Sequence, residues 1–123
     1  MRLSNDFRNR MRDEADLRAD RDIAETFRGR NAAEVAHLDD EALLAAIRSA
    51  RATASRFGIA DARLRMRFIM LDVFRLPGFW RESVVQTLMN ARTGTPDSRF
   101  GDVCALLRLG AARTGKSAYV WWS

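Results

Sequence analysis

The chain has few of the residues that build metal sites, disulfides and nucleophilic active sites. Its 123 residues include one cysteine, Cys104, and one histidine, His37. A single cysteine excludes an internal disulfide, and a single histidine excludes the metal and acid–base sites that use two or more. Cys104 stands among apolar neighbours, which predicts a buried small hydrophobe. We therefore expect no catalytic residue, no metal site, no cofactor and no enzymatic activity.

Long apolar runs are also missing. The apolar runs, such as residues 68–71, are only a few residues long, whereas a helix that spans a bilayer needs about 20. The first thirty residues contain no apolar stretch typical of a signal peptide. These features predict a cytoplasmic protein with no membrane partner.

Lysine is nearly absent, because 20 of the 21 basic residues are arginines and only Lys116 is a lysine. With 21 basic and 16 acidic residues, the net charge is +5. Segments 1–36, 37–75 and 76–123 carry charges of 0, +2 and +3, so the excess is spread along the chain and forms no basic block. Nucleic-acid binding is disfavoured on this distribution.

What the sequence does contain is helical periodicity with clear stop signals. Residues 4–30 are rich in charge, and their larger apolar residues fall near multiples of a helical turn, which predicts an outer helix. A second helix starts at Asp39 or Asp40, which suit an N-terminus, and ends at Gly58. A third starts at Asp61 and reaches about Phe74. Two more are predicted over residues 80–94 and from about 97 onwards.

The expected fold is an all-α, single-domain bundle of about five helices over residues 1–123. Residues 1–36 form charged outer helices and residues 37–114 form the core helices. Residues 115–123, which include Tyr119, Trp121 and Trp122, form a short extended aromatic tail.

One segment near the end of the sequence matches a phosphate-binding motif. Residues 110–117 fit the pattern G-x-x-x-x-G-K-[ST] through Gly110, Gly115, Lys116 and Ser117. A true phosphate-binding loop follows a buried parallel strand and opens a helix. Here the match follows a helical pattern, and six residues remain after it. We interpret it as a false positive and expect the end of a helix at this place.

The candidate partner-binding residues are aromatic side chains and arginines, types that are enriched in binding hot spots. Two alternatives stay open for the aromatic residues, since core packing would explain them as well as contact with a partner. Asp72 is expected to pair with Arg75 or Arg65. The candidates are Arg63, Arg67, Phe79, Trp80, Tyr119, Trp121 and Trp122.

Residues 38–109 contain a series of packing and turn motifs. They are Leu-Asp-Asp-Glu-Ala-Leu at 38–43, Arg-Phe-Gly-Ile at 56–59, Arg-Phe-Ile-Met-Leu at 67–71, Phe-Trp at 79–80 and Gly-Thr-Pro-Asp-Ser-Arg at 94–99. With these motifs the chain resembles small helical accessory proteins encoded in bacterial type VI secretion loci, near spike and effector-adaptor genes. The resemblance implies a non-enzymatic adaptor that binds an effector or another secretion component.

The leading expectation is therefore a helical protein-binding module, with a type VI secretion accessory role as its finer form. A toxin-neutralising immunity protein is the alternative, and a nucleic-acid binder comes third. The expected partner is another protein, such as an effector, a spike component or a toxin. Homo-oligomerisation stays open.

Overall fold

A computed structural model describes residues 2–113, and the side chains of residues 5–110. Within that part of the chain every regular element is helical, which confirms the all-α fold class. A π-helical turn, Leu71–Arg75, extends the fourth helix, and a 3-10 turn, Phe79–Arg81, precedes the fifth. The α-helices are α1 Arg2–Arg30, α2 Ala32–Val35, α3 Asp40–Arg56, α4 Ala62–Met70, α5 Ser83–Met89 and α6 Pro96–Arg113.

The chain divides into two compact units, one up to Arg48 and one from Ser49 onwards. The boundary falls inside α3. A single domain over residues 1–123 stays a prediction, and the expected aromatic tail lies outside the described residues.

In the first unit, α1 is the predicted outer helix, but its apolar residues do not form one buried stripe. Phe27 is 1% exposed, whereas Phe7 and Met11 are 63% and 54% exposed. At 100° per residue, Phe7 lies about 160° around the helix from Phe27, so the two rings point to opposite sides. Residues 5–15 are exposed throughout.

Two side chains connect the end of the first unit's short helix to the start of α3. Arg28 donates hydrogen bonds to the carbonyl oxygens of Val35, at 2.9 Å, and Leu38, at 2.6 Å. Asp39 Oδ1 accepts from the Ala42 amide at 2.7 Å, so of the two caps predicted for this helix the structure uses Asp39. Both interactions satisfy backbone groups that helix ends leave without partners.

The second unit has an aromatic core centred on Phe68. Its ring centroid lies 5.0 Å from that of Phe79, 5.5 Å from that of Phe100 and 6.0 Å from that of Phe57. Tilted and edge-on ring pairs at such distances add to the stability gained from burial. The buried members of this cluster are Ala54, Ile59, Phe68, Leu71, Phe79, Val85, Met89, Phe100, Val103 and Cys104.

The loops of the second unit are held by carboxylates that accept from backbone amides. Asp97 accepts from the amides of Ala60 and Asp61, at 2.8 and 3.2 Å, and Asp61 in turn accepts from the amide of Leu64 at 3.0 Å. Asp61 is therefore the N-cap that the sequence predicts for α4. Gly58 adopts φ +80° and ends α3 as expected.

Candidate partner-binding surface

The candidate surface begins at the irregular segment between α4 and α5. The helix predicted from Asp61 to about Phe74 is present, but its last turn is π-helical, with the Leu76 amide donating to the Leu71 carbonyl at 2.6 Å. Pro77 and Gly78 then break the helix as predicted, and Gly78 adopts φ +76°. Single π-helical turns are uncommon and occur frequently at functional sites.

Asp72 fixes the shape of this corner. Its Oδ1 accepts hydrogen bonds from the Gly78 amide at 2.9 Å and from Trp80 Nε1 at 3.1 Å. The sequence predicts an ion pair with Arg75 or Arg65, whereas the contacts that define this carboxylate's position go to an amide and an indole N–H. The reason is local geometry, because the Pro-Gly turn brings the chain back over the π-helical turn.

Trp80 lies half-buried on the second unit with two arginines over its ring. The guanidinium carbons of Arg81 and Arg56 are 5.0 and 5.9 Å from the ring centroid, within cation–π range. The ring of Phe57 meets the indole edge-on at 6.3 Å. We call Arg56, Trp80 and Arg81 the Trp80 surface.

Three further hydrogen bonds hold the Trp80 surface in place. Gln86 Nε2 donates to the Trp80 carbonyl at 2.6 Å, and Asp72 accepts from the indole. Arg56 Nη2 donates to the hydroxyl of buried Thr53 at 3.1 Å. Both arginines are nevertheless exposed, so their charged groups remain accessible, while the hydrogen bond to Thr53 restricts the position of Arg56.

Of the predicted partner-binding residues, Phe79 is a core residue. It is 5% exposed and its ring packs against Phe68 and Phe100. Its neighbour in sequence, Trp80, is the accessible member of the Phe-Trp pair. Of the two open alternatives, the structure therefore assigns core packing to Phe79, which does not present its ring to a partner.

Arg63 and Arg67 lie four residues apart on α4 and therefore on one side of that helix. Arg63 is exposed and Arg67 is half-buried. The positive charge of Arg67 acts on Cys104 of α6, so this side of α4 faces α6. The two residues belong to the second unit, as the Trp80 surface does.

Cys104 is buried as predicted, at 4% exposure. Burial raises the pKa of its thiol from an ordinary 9.0 to about 11, although the charges of Arg67 and Arg108 lower it in part. At neutral pH the group is a thiol and not the thiolate that reacts as a nucleophile. Within the described residues, no group of three or more His, Cys, Asp and Glu side chains is placed to hold a metal ion.

Several predicted residues fall outside the described part of the chain. They are Gly115, Lys116, Ser117, Tyr119, Trp121 and Trp122. Gly110, the first residue of the phosphate-binding pattern, lies in α6, which continues to Arg113. The first four positions of the pattern are therefore helical, in contrast to the loop that follows a strand in a phosphate-binding site.

Sequence reasoning picked out Trp80 but not the two arginines that stack on it. Arg81 follows Trp80 directly, and an arginine next to a tryptophan in the sequence is a signal from which such a contact can be predicted. Arg56 is 24 residues away in sequence, and only the packing of α3 against the corner brings it to the ring. No local pattern predicts that contact.

A comparison with protein-family models, curated proteins and solved structures finds no match. Among the described helices, none combines the length and the apolar character that crossing a membrane requires. The type VI secretion resemblance remains a prediction from the sequence.

Proposed function

We propose that this chain is a non-enzymatic helical protein-binding module and that the Trp80 surface is its contact site. The observation that carries the proposal is the stacking of two exposed arginines on a half-buried tryptophan. Tryptophan and arginine are the residue types that dominate binding energy in protein interfaces. The one cysteine is buried and protonated at neutral pH, which is consistent with a binding role.

The rigidity of the Trp80 surface supports the same proposal. An interface side chain that loses rotamer freedom on binding lowers the affinity by about 0.5–1.5 kcal/mol. Trp80 is already held through its indole N–H and its carbonyl, and Arg56 through Thr53. A partner would therefore meet Trp80 and Arg56 in positions that are set before it binds.

The finer form of the proposal is a cytoplasmic accessory or adaptor protein of a type VI secretion system. It rests on the resemblance over residues 38–109, a range that contains the whole Trp80 surface. In that role the partner is an effector or a spike component. An immunity protein that neutralises a toxin would have the same small size and the same absence of catalytic groups.

The test is co-expression with the neighbouring genes, followed by size-exclusion chromatography with light scattering. We expect a stoichiometric complex with the wild-type chain and its loss with Arg81→Gln, which removes an exposed charge and no core contact. Arg92→Gln is the matched control, since Arg92 is exposed and lies in the loop between α5 and α6. A chain that elutes without any partner, or a complex that survives Arg81→Gln unchanged, would contradict the proposal.

The same strains separate the two roles. If the partner is a toxin, co-expression of this chain rescues growth, and Arg81→Gln weakens the rescue. If the partner is an effector or spike protein, its stability or secretion changes instead. Self-association would be seen in the same chromatography as a molar mass above that of the single chain, 14.0 kDa.

A further inference from the structure

We infer that the Trp80 surface binds a carboxylate-rich segment of its protein partner. The inference rests on the proposed binding function and adds the chemistry of the ligand. Three observations carry it: the charge of the second unit, the position of two guanidinium groups over the Trp80 ring, and the contacts that this ring already makes.

The charge of the protein is divided unequally between its two units. Up to Arg48 the sequence has nine arginines and eleven acids, a net −2. From Ser49 onwards it has twelve basic residues and five acids, a net +7. The overall +5 therefore understates how basic the unit is that contains the Trp80 surface. A surface of one sign attracts and orients a partner of the other.

Most carboxylates of the second unit are used by its own fold. Asp61, Asp72 and Asp97 accept from backbone amides, and Asp72 also accepts from the indole of Trp80. The accepting atoms are Oδ1 of Asp61 and Asp72 and both carboxylate oxygens of Asp97. Within the described residues, the guanidinium of Arg81 makes no hydrogen bond or ion pair, and its central carbon lies over the Trp80 ring, 5.0 Å from the centroid.

Stacking leaves an arginine ready for a carboxylate. The N–H donors of a guanidinium group lie in its plane, and the cation–π contact uses the face of that plane. An arginine held over an aromatic ring therefore keeps its donors for a bidentate contact with a carboxylate. Arg81 and Arg56 give two such positions at one ring, which suits a segment with more than one acidic residue.

The ring of Trp80 is a poorer site for a nucleobase. Proteins that bind single-stranded nucleic acid stack bases on open aromatic faces. Here two guanidinium groups lie over the indole, Phe57 meets it edge-on, and Asp72 holds its N–H. The groups that Trp80 presents outward are the arginines, so the chemistry favours carboxylates.

A direct test titrates the full chain with a labelled oligoglutamate peptide and follows fluorescence anisotropy. We expect Arg81→Gln to weaken binding about tenfold, equivalent to about 1.4 kcal/mol. Arg81→Lys, which keeps the charge but not the planar donors, should recover only part of the affinity. Arg92→Gln removes the same charge away from the ring and should change the affinity less than twofold.

A second measurement reports on the ring itself. In a full-length Trp121→Phe/Trp122→Phe background, Trp80 is the only tryptophan, and peptide binding should change its emission. Two results would overturn the inference: equal losses in Arg81→Gln and Arg92→Gln, or no binding of the peptide. Tighter binding of a single-stranded oligonucleotide of equal charge, with the same dependence on Arg81, would also overturn it in favour of nucleic acid.

The two proposals fail in different ways. If co-expression yields a complex that depends on Arg81 while oligoglutamate does not bind, the binding module stands and the carboxylate chemistry is wrong. If oligoglutamate binds at Arg81 but no protein partner is captured, the surface chemistry stands and the proposed function is wrong.

Discussion

Replacing Asp72 by alanine tests whether one carboxylate holds the corner that presents Trp80. The change removes the acceptor of two hydrogen bonds, from the Gly78 amide and from Trp80 Nε1. Hydrogen bonds to charged groups contribute about 1.5–3 kcal/mol each, and because Asp72 is half-buried, water can replace part of what is lost. We expect Asp72→Ala to lower the free energy of unfolding by about 2–3 kcal/mol.

Urea denaturation measures the effect. With a typical slope of about 1–3 kcal/mol per molar urea, the midpoint should fall by about 0.7–3 M. Asp72→Asn keeps one oxygen acceptor and should lose only about 1 kcal/mol. Asp102→Ala is the control, since Asp102 is exposed on α6 and an exposed substitution of this kind stays within about 0.5 kcal/mol. The reasoning is refuted if Asp72→Ala is as stable as Asp102→Ala.

Three further predictions concern the second unit. Alkylation of Cys104 at pH 8 should be slow in the native protein and fast in urea, because the pKa of the buried thiol is raised to about 11; equal rates would contradict its burial. Phe68→Ala should lower the stability by about 3–5 kcal/mol in urea denaturation, and a loss below about 1 kcal/mol would exclude the aromatic core. Gly101→Ala should raise the melting temperature, since an added Cβ at this position meets nothing within 4 Å. Gly94→Ala should lower it, since Gly94 has φ +75° and the added Cβ would lie 2.6 Å from Ser98 Oγ. The opposite order of melting temperatures would contradict this.

The helices were largely predictable because their signals are local. Asp61 caps α4, Gly58 ends α3 with positive φ, and Gly78 adopts positive φ before the 3-10 turn, each as its side chain or lack of one dictates. The short helix α2 was missed, since four residues carry too little periodicity to be recognised. Phe7 and Met11 are spaced near the helical repeat, which predicts that they belong to one apolar stripe on α1. Both side chains are exposed, because the spacing alone does not say which side of the helix is covered.

The charge distribution shows a different limit. Dividing the sequence at residues 36 and 75 spreads the excess positive charge over three segments, whereas the structural boundary at Arg48 separates −2 from +7. The acidic residues at 39–41 account for much of the difference, since they belong to the first unit. The charge of each unit can be counted only when the boundary between the two folded units is known. That boundary lies inside the continuous helix α3, where no change in composition marks it.

The environment of Trp80 argues that the residue serves more than packing. Phe79 beside it is buried, whereas Trp80 keeps part of its surface accessible. Trp80 stays half-exposed, yet Asp72 and Gln86 hold its indole and its carbonyl, and Thr53 holds the arginine that stacks on it.

Ordering exposed side chains loses conformational entropy, and within the isolated fold the cation–π contacts return only about 0.5–1 kcal/mol each at exposed positions. The same ordering raises affinity when a partner binds, because that entropy has already been lost. Preorganisation of this kind is expected of a binding surface, so Arg81→Gln should weaken partner binding without disturbing the aromatic core.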